Sequence, residues 1–320
     1  MSETALAESS PVYVVIPLYN DWDALTLLFE RIRAVVGESV RRRMSFLIVD
    51  DCSSEPVRAL SATGFDSVRI LHLYRNVGHQ KAIALGLSYL ADTARPGPTI
   101  VMDSDGEDKP EDIERLLAEV TRTDRIVFAH RAKRHEGPLF RIFYEIYKWV
   151  FKTLTGKVIT FGNFSAIPHR LLRRLAHVSE IWNNYPGGII RSRLPYGAIP
   201  LERGRRLAGQ SKMNFVSLIL HGLSAVSVLM DATAVRILIF CVLLATGAGV
   251  GIAGVILFRL SSDLIIPGWA SYLVFSLFIV IMQAFLISLL LVFIVLTYRT
   301  QQPFIPALQY QSFIERIEEV

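Results

Sequence analysis

Thr99-Ile100-Val101-Met102-Asp103-Ser104-Asp105 is the stretch on which the reading of this chain turns. An apolar run stops at carboxylates placed at i and i+2, with Glu107 and Asp108 close behind. At the end of a strand, the turn that follows can steer two such carboxylates toward one point. Their oxygens suit a hard divalent cation that keeps open positions for phosphate. A D-x-D alone is usually a solvated loop. Here an apolar strand precedes it, and other polar strand ends come earlier in the chain.

Outward from this corner, short β-branched runs alternate with helical patterns over the first 130 residues. Residues 12–16, 46–49, 68–73, 99–102 and 125–129 read as strands, and 22–36, 78–91 and 110–120 as helices. Such alternation predicts an α/β fold, a mostly parallel sheet with helices on both faces. Ligands of open α/β sheets bind beyond the carboxyl ends of the strands. Pro17-Leu18-Tyr19-Asn20-Asp21, Asp50-Asp51, Asp103-Ser104-Asp105 and His130-Arg131 stand at those ends. They make a polar, mostly acidic rim with one arginine. Asp50 is expected to cap a helix beginning near Glu55 or to hold its loop.

The chain of 320 residues is 52% hydrophobic, and the excess sits near its end. Residues 237–258 give 22 positions without a charge and 269–297 a further 29. Each run exceeds the roughly 20 residues that cross a hydrocarbon core. Arg203, Arg205, Arg206, Lys212 and Arg236 precede the first run, and Arg299 follows the second. The turn between them holds Arg259 and Asp263. The excess of basic residues on one side places both chain ends in the cytosol. Met1 to Ser10 lack the basic flank and apolar core of a secretory signal. Cys52 and Cys241 imply no disulfide framework. The net charge of +5 comes without a basic, aromatic-interleaved stripe, so nucleic acid is not expected as a partner.

Two segments are amphipathic without being long enough in apolar residues to span. In 139–154, Arg141, Glu145, Lys148 and Lys152 recur at helical spacing, with Phe143, Tyr147, Phe151 and Leu154 on another face. In 214–230, Asn214, Ser217, His221 and Ser224 oppose Phe215, Leu218, Leu223 and Val226. Helices of this kind lie in the headgroup plane or pack onto the sheet.

With its strand ends read this way, the chain resembles the membrane-anchored family 2 glycosyltransferases of the GT-A fold. It looks most like the group that includes dolichol-phosphate mannose synthase and the bacterial prenyl-phosphate glucosyltransferases. The matching stretches are Val15-Ile16-Pro17-Leu18-Tyr19-Asn20, Ile48-Val49-Asp50-Asp51-Cys52-Ser53, Arg75-Asn76-Val77-Gly78, Met102-Asp103-Ser104-Asp105 and Arg206-x-x-Gly209-x-Ser211-Lys212. The resemblance implies a nucleotide-sugar donor whose nucleotide is lined by Pro17, Tyr19, Asp21, Val49, Asp51 and Ser104. It implies Mg²⁺ or Mn²⁺ held by Asp103, Asp105 and Glu107, a donor-phosphate arginine at Arg131, and a phosphate clamp from Arg206 and Lys212. It also implies a polyprenyl-phosphate acceptor in the membrane and self-association of the spans. The physical need is independent of the family: a leaving diphosphate gains negative charge and requires a cation in place. Arginine offers paired hydrogen bonds to phosphate, and lysine a point charge. Attraction to anionic headgroups is the competing reading of Arg206 and Lys212. Asn76 and Gly78 are expected to shape a turn beside the site.

The domain organisation expected is a tail at 1–10, a GT-A catalytic domain at 11–212, an amphipathic helix at 213–232, two spans within 234–298, and a cytosolic tail at 299–320. His79, His130, His135, His169 and His177 show no metal-ligand spacing and read as surface or packing residues. Gln283 is expected to hydrogen-bond between the spans. Relatives carry G-D-F-R-L or G-S-F-R-L where this chain has Gly162-Asn163-Phe164-Ser165-Ala166. A phosphate acceptor is already anionic and needs alignment more than a base, so Asn163 suits it better than a sugar hydroxyl. Another lipid acceptor and a non-catalytic nucleotide-sugar-binding scaffold are the alternatives. No Q-x-x-R-W of processive synthases is present.

Overall fold

The structure is a computed structural model that describes residues 10–57, 60–131, 138–157, 161–209, 215–261 and 268–320. Eight strands form one sheet: β1 Val12–Leu18, β2 Met44–Asp50, β3 Ser67–Leu73, β4 Thr99–Val101, β5 Ile126–Arg131, β6 Phe161–Ile167, β7 Tyr196–Leu201 and β8 Ile314–Glu319. Their order is β7-β5-β6-β4-β1-β2-β3-β8. β1 pairs in parallel with β2 and β4, β2 with β3, and β5 with β7. β6 runs antiparallel between β4 and β5, and β8 antiparallel along β3. The mostly parallel α/β sheet read from the sequence is therefore present.

Strands β1 and β2 are buried along their whole length. Successive side chains point to opposite faces, so Val14, Ile16, Phe46 and Ile48 enter one core and Val15, Leu47 and Val49 the other. Each face needs a helical cover. On the first, α1 (Trp22–Val35) buries Trp22, Leu25, Leu28, Phe29 and Ile32 at helical spacing. A second helix there, α3 (Ile113–Thr123), buries Ile113, Leu116, Leu117 and Val120. The second face is covered by α2 (His79–Thr93), which lies between α1 and α3 in the chain, and by α5 (His169–Ala176). At Gly86 of α2, an added Cβ would stand 2.7 Å from Val15 Cγ1 and 2.8 Å from Val49 Cγ2. Only hydrogen lets this helix lie so close to the sheet.

The remaining helices of eight residues or more are α4 (Pro138–Thr155), α6 (Tyr185–Ser192), α7 (Phe215–Val228), α8 (Met230–Ser261) and α9 (Trp269–Thr300). Along α7, Ala225 and Val228 are buried and Leu223 is exposed. Its last turn packs on α6, where Gly187 approaches Val228. In α4, Phe151 is buried and Trp149 is 68% exposed. The chain divides into two compact units, the sheet with residues 303–320 and a second unit of 144–158 with 229–302.

Within the second unit, α8 and α9 are long and apolar enough to cross a membrane, and at about 1.5 Å per residue each exceeds a ~30 Å hydrocarbon core. They pack along each other. The seam holds small residues, Cys241, Ala248 and Ala284, while Phe240, Leu260, Phe275 and Phe285 are exposed. Small seam residues let two apolar helices approach closely. Gln283, expected to bond the other helix, is exposed, because the seam falls one residue on at Ala284.

The segment expected as a tail after the second span departs from that reading. Residues 314–319 return to the sheet unit as β8, with Leu71 opposite Ile317 and His72 opposite Arg316. Trp182, Phe304 and Phe313 secure the return, with ring centroids 4.1 Å apart for Trp182–Phe304 and 5.7 Å for Phe304–Phe313. An exposed edge strand needs little apolar pattern, so Ile-Glu-Arg-Ile-Glu-Glu reads as polar tail. The tail expected at 1–10 falls almost wholly on residues outside those described.

Gly86→Val should destabilise the sheet unit. The helix-propensity gain over glycine is below ~1 kcal/mol, whereas overpacking costs about 1–3 kcal/mol. A lowered midpoint of thermal unfolding in detergent checks it.

Candidate active site

The first two strand ends are tied together before any ligand is considered. Asn20, at φ +49°, accepts at Oδ1 from the backbone N–H groups of Ser54 (2.9 Å) and Glu55 (3.1 Å). Its own N–H donates to Ser53 Oγ at 2.9 Å. Asp50 Oδ1 accepts from Ser53 N–H at 3.0 Å, and Asp50 Oδ2 lies 2.9 Å from His72 Nδ1. The other ring nitrogen of His72 is 3.2 Å from Glu318 of β8. Asp50 therefore holds its loop; among the described residues no helix starts near Glu55.

Asp51 is buried, and its two oxygens accept from Val77 N–H (2.6 Å) and Gly78 N–H (2.8 Å). Burial pushes its pKa up, against those two hydrogen bonds that pull it down. Gly78 has φ +94° and ends this turn at the start of α2, which matches the turn role expected of Asn76 and Gly78. Pro17 and Val49 are buried, and the Val49 side chain packs under α2 at the end of β2. Tyr19 is 44% exposed at the rim.

The acidic corner after β4 is folded on itself. Asp103 N–H donates to Asp108 Oδ2 at 2.9 Å, and Glu107 N–H to Asp105 Oδ1 at 3.0 Å. Between them Gly106 takes φ +79°, and a Cβ there would meet Leu207 Cγ at 2.4 Å. The segment after β7 lies against this turn: Gly204 N–H donates to Glu107 O at 2.7 Å and Leu207 N–H to Asp105 O at 2.9 Å. That backbone pairing aims two arginines at the acids. Arg206 donates from Nη1 to Asp105 Oδ2 at 3.1 Å, from Nη2 to Asp21 Oδ2 at 2.6 Å, and from Nε to Ala208 O at 2.8 Å. Arg203 pairs with Glu107. Ser104 Oγ stands 3.5 Å from Asp21 Oδ2.

Burial and then the neighbouring Asp103 charge push Asp105 up to about 6, with Arg206 and Arg203 opposing them. A cation at this corner would remove that penalty. Mg²⁺ and Mn²⁺ accept one or two carboxylates with substrate phosphates completing the shell, and Asp103 and Asp105 fit that donor set. The three expected carboxylates do not converge, however: among the described residues no three His, Cys, Asp or Glu side chains form a metal cluster. Glu107 is engaged by Arg203.

His79, read as a surface or packing residue, stands at the site, its Nε2 3.2 Å from Asp103 Oδ1 and 2.9 Å from Asn163 Nδ2. Arg131 ends β5, paired with Leu201, and its side chain is outside the described residues, as is Lys212. Sequence reasoning missed His79 and Arg203. The one available signal for His79 was its place directly after the Gly78 turn that leaves β3.

Residues 13–182 match the family model described as glycosyl transferase family 2, and the chain belongs to that family. It is 28% identical over 287 residues to an undecaprenyl-phosphate 4-deoxy-4-formamido-L-arabinose transferase of Salmonella paratyphi A, covering 84% of this chain and 82% of the relative. It is 23% identical over 276 residues to the uncharacterized glycosyltransferase YkcC of Bacillus subtilis, covering 82% of each. Among solved structures it is similar to glucosyl-3-phosphoglycerate synthase from Mycobacterium tuberculosis in complex with Mn²⁺, UDP and glucosyl-3-phosphoglycerate. That likeness has a TM-score of 0.51 at 14% identity and covers 72% of this chain and 82% of the other. The fold is GT-A.

Asp51→Ala should leave the two N–H groups at Val77 and Gly78 without their acceptor and cost about 1–3 kcal/mol. Thermal unfolding and faster amide exchange at 77–79 check it.

Proposed function

We propose that this protein transfers a sugar from a nucleoside diphosphate to a polyprenyl phosphate at the cytosolic face of a membrane, with inversion at C1. One observation carries the reading: the acidic corner after β4 and the arginines of 203–206 meet at the carboxyl end of a GT-A sheet, in a chain with two membrane-length apolar helices. The Salmonella relative named as an undecaprenyl-phosphate transferase and the Mn²⁺ and UDP of the mycobacterial structure support it.

In this reading the nucleotide lies over the ends of β1 and β2, bordered by Pro17, Tyr19, Asp21, Val49, Asp51 and Ser104. Asp51 shapes the Val77–Gly78 turn and keeps acceptor capacity, since each oxygen has a second lone pair. Mg²⁺ or Mn²⁺ at Asp103 and Asp105 supplies charge neutralisation for the departing diphosphate. Arg206, which now spans Asp21 and Asp105, presents paired N–H donors to phosphate once those carboxylates face the bound donor. Arg131 and Lys212 are assigned to phosphate on the same grounds of charge and family position. Glu107 seats the arginine segment through Arg203.

An acceptor phosphate oxygen attacks C1, the bond from C1 to the diphosphate oxygen breaks, and the nucleoside diphosphate leaves with the electron pair. The acceptor is already ionised, so no side chain has to remove a proton, which agrees with Asn163 in place of a carboxylate. The second unit holds the acceptor's lipid in the membrane, with both chain ends cytosolic; pairing of spans between copies is part of the proposal.

Purified protein with undecaprenyl phosphate, Mn²⁺ and a panel of nucleotide sugars should release nucleoside diphosphate and form a mild-acid-labile glycolipid with one of them. Asp105→Ala should lower turnover by about 100-fold or more while the protein remains folded. Full activity in that variant would sink the metal assignment. A product that survives mild acid would point to another lipid acceptor.

A further inference from the structure

A backbone N–H fixes the state of an imidazole three links away. Tyr185 N–H donates to Gln80 Oε1 at 2.7 Å, so the Gln80 amide can have only one orientation. Its Nε2 then faces Asn163 Oδ1 at 3.1 Å, which turns Asn163 Nδ2 toward His79 Nε2 at 2.9 Å. An amide N–H donates, so Nε2 must accept, and His79 is the neutral tautomer with its proton on Nδ1. A proton on Nε2 would bring two N–H groups face to face at hydrogen-bond distance. The Asn163 strand position is itself braced, since Ser165 Oγ donates to Asn163 O at 2.9 Å and lies 2.7 Å from the buried Tyr185 hydroxyl.

The consequence falls on Asp103. Its Oδ1 and the Nε2 lone pair of His79 are 3.2 Å apart, and two acceptors that close repel unless a proton or a metal cation sits between them. Adjacent ligands of an octahedral ion at 2.0–2.1 Å are separated by about 3 Å, so the pair has the spacing of neighbouring ligands on one ion. His79 is also 43% exposed on its side chain, which leaves room for the diphosphate and water that complete a shell.

We propose that His79 is a ligand of the donor-side divalent ion, joining Asp103 and Asp105 in the place that Glu107 was expected to fill. Asn163 and Gln80 are positioning residues that hold the Nε2 lone pair toward the ion. The proposal rests on the divalent ion that the proposed function places at this corner. An imidazole nitrogen is a softer donor than a carboxylate oxygen, so it favours Mn²⁺ over Mg²⁺.

The test uses the full chain in detergent with Mn²⁺ alone as probe. Electron spin-echo modulation should show a directly bound ¹⁴N in the wild-type protein, replaced by ¹⁵N on histidine labelling, and no bound nitrogen in His79→Gln. Mn²⁺ affinity should fall about tenfold or more in that variant, with a smaller change for Mg²⁺. Absence of nitrogen coupling in the wild type, which needs no variant to fold, overturns the proposal, as does undiminished coupling in His79→Gln. Glycolipid formation is a separate readout: oxygen-only ligation at Asp103 is compatible with transfer, and a bound nitrogen is compatible with any acceptor.

Discussion

Carboxylates gathered at the carboxyl end of a parallel sheet must meet positive charge, and much of the local architecture answers that demand. Two like charges 4 Å apart repel by about 4 kcal/mol at an effective dielectric near 20. Asp21, Asp105 and Glu107 are supplied with Arg206 and Arg203 from a single segment after β7. That segment stays in place through backbone bonds to residues 105 and 107, which exist because Gly106 has no side chain to strike Leu207. One glycine thus decides whether the arginines reach the acids.

The same demand explains why the site is polar and yet ordered. Asn20, Asp50 and Asp51 spend their hydrogen bonds on the backbone of neighbouring loops, joining the ends of β1 and β2 and the turn before α2. Such bonds hold a rim for a ligand in position before the ligand arrives, which lowers the ordering cost of binding. The edge strand β8 contributes through His72, buried between Asp50 and Glu318. A strand from the far end of the chain thereby touches the loop expected to border the nucleotide.

Asn163 stands where the pattern expected from the resemblance carries Asp or Ser. Placed among Gln80, His79 and Asp103, it is a donor whose direction is set by the main chain at Tyr185. The departure from the expected pattern is thus a change in what the residue holds, on a strand set antiparallel between β4 and β5.

The sequence by itself determined the alternation that builds the sheet, because strands buried on both faces must be apolar without interruption. It also marked the acidic strand ends and the two membrane-length helices, since each is written in consecutive residues. Only the tertiary structure decided which charges meet. Arg206 is 101 residues from Asp105, and His79 is 84 from Asn163. Nothing local signals pairings across such separations. The antiparallel insertion of β6 and the return of β8 were likewise settled by packing. Backbone pairing and core volume choose among registers that a pattern of apolar and polar residues leaves equal.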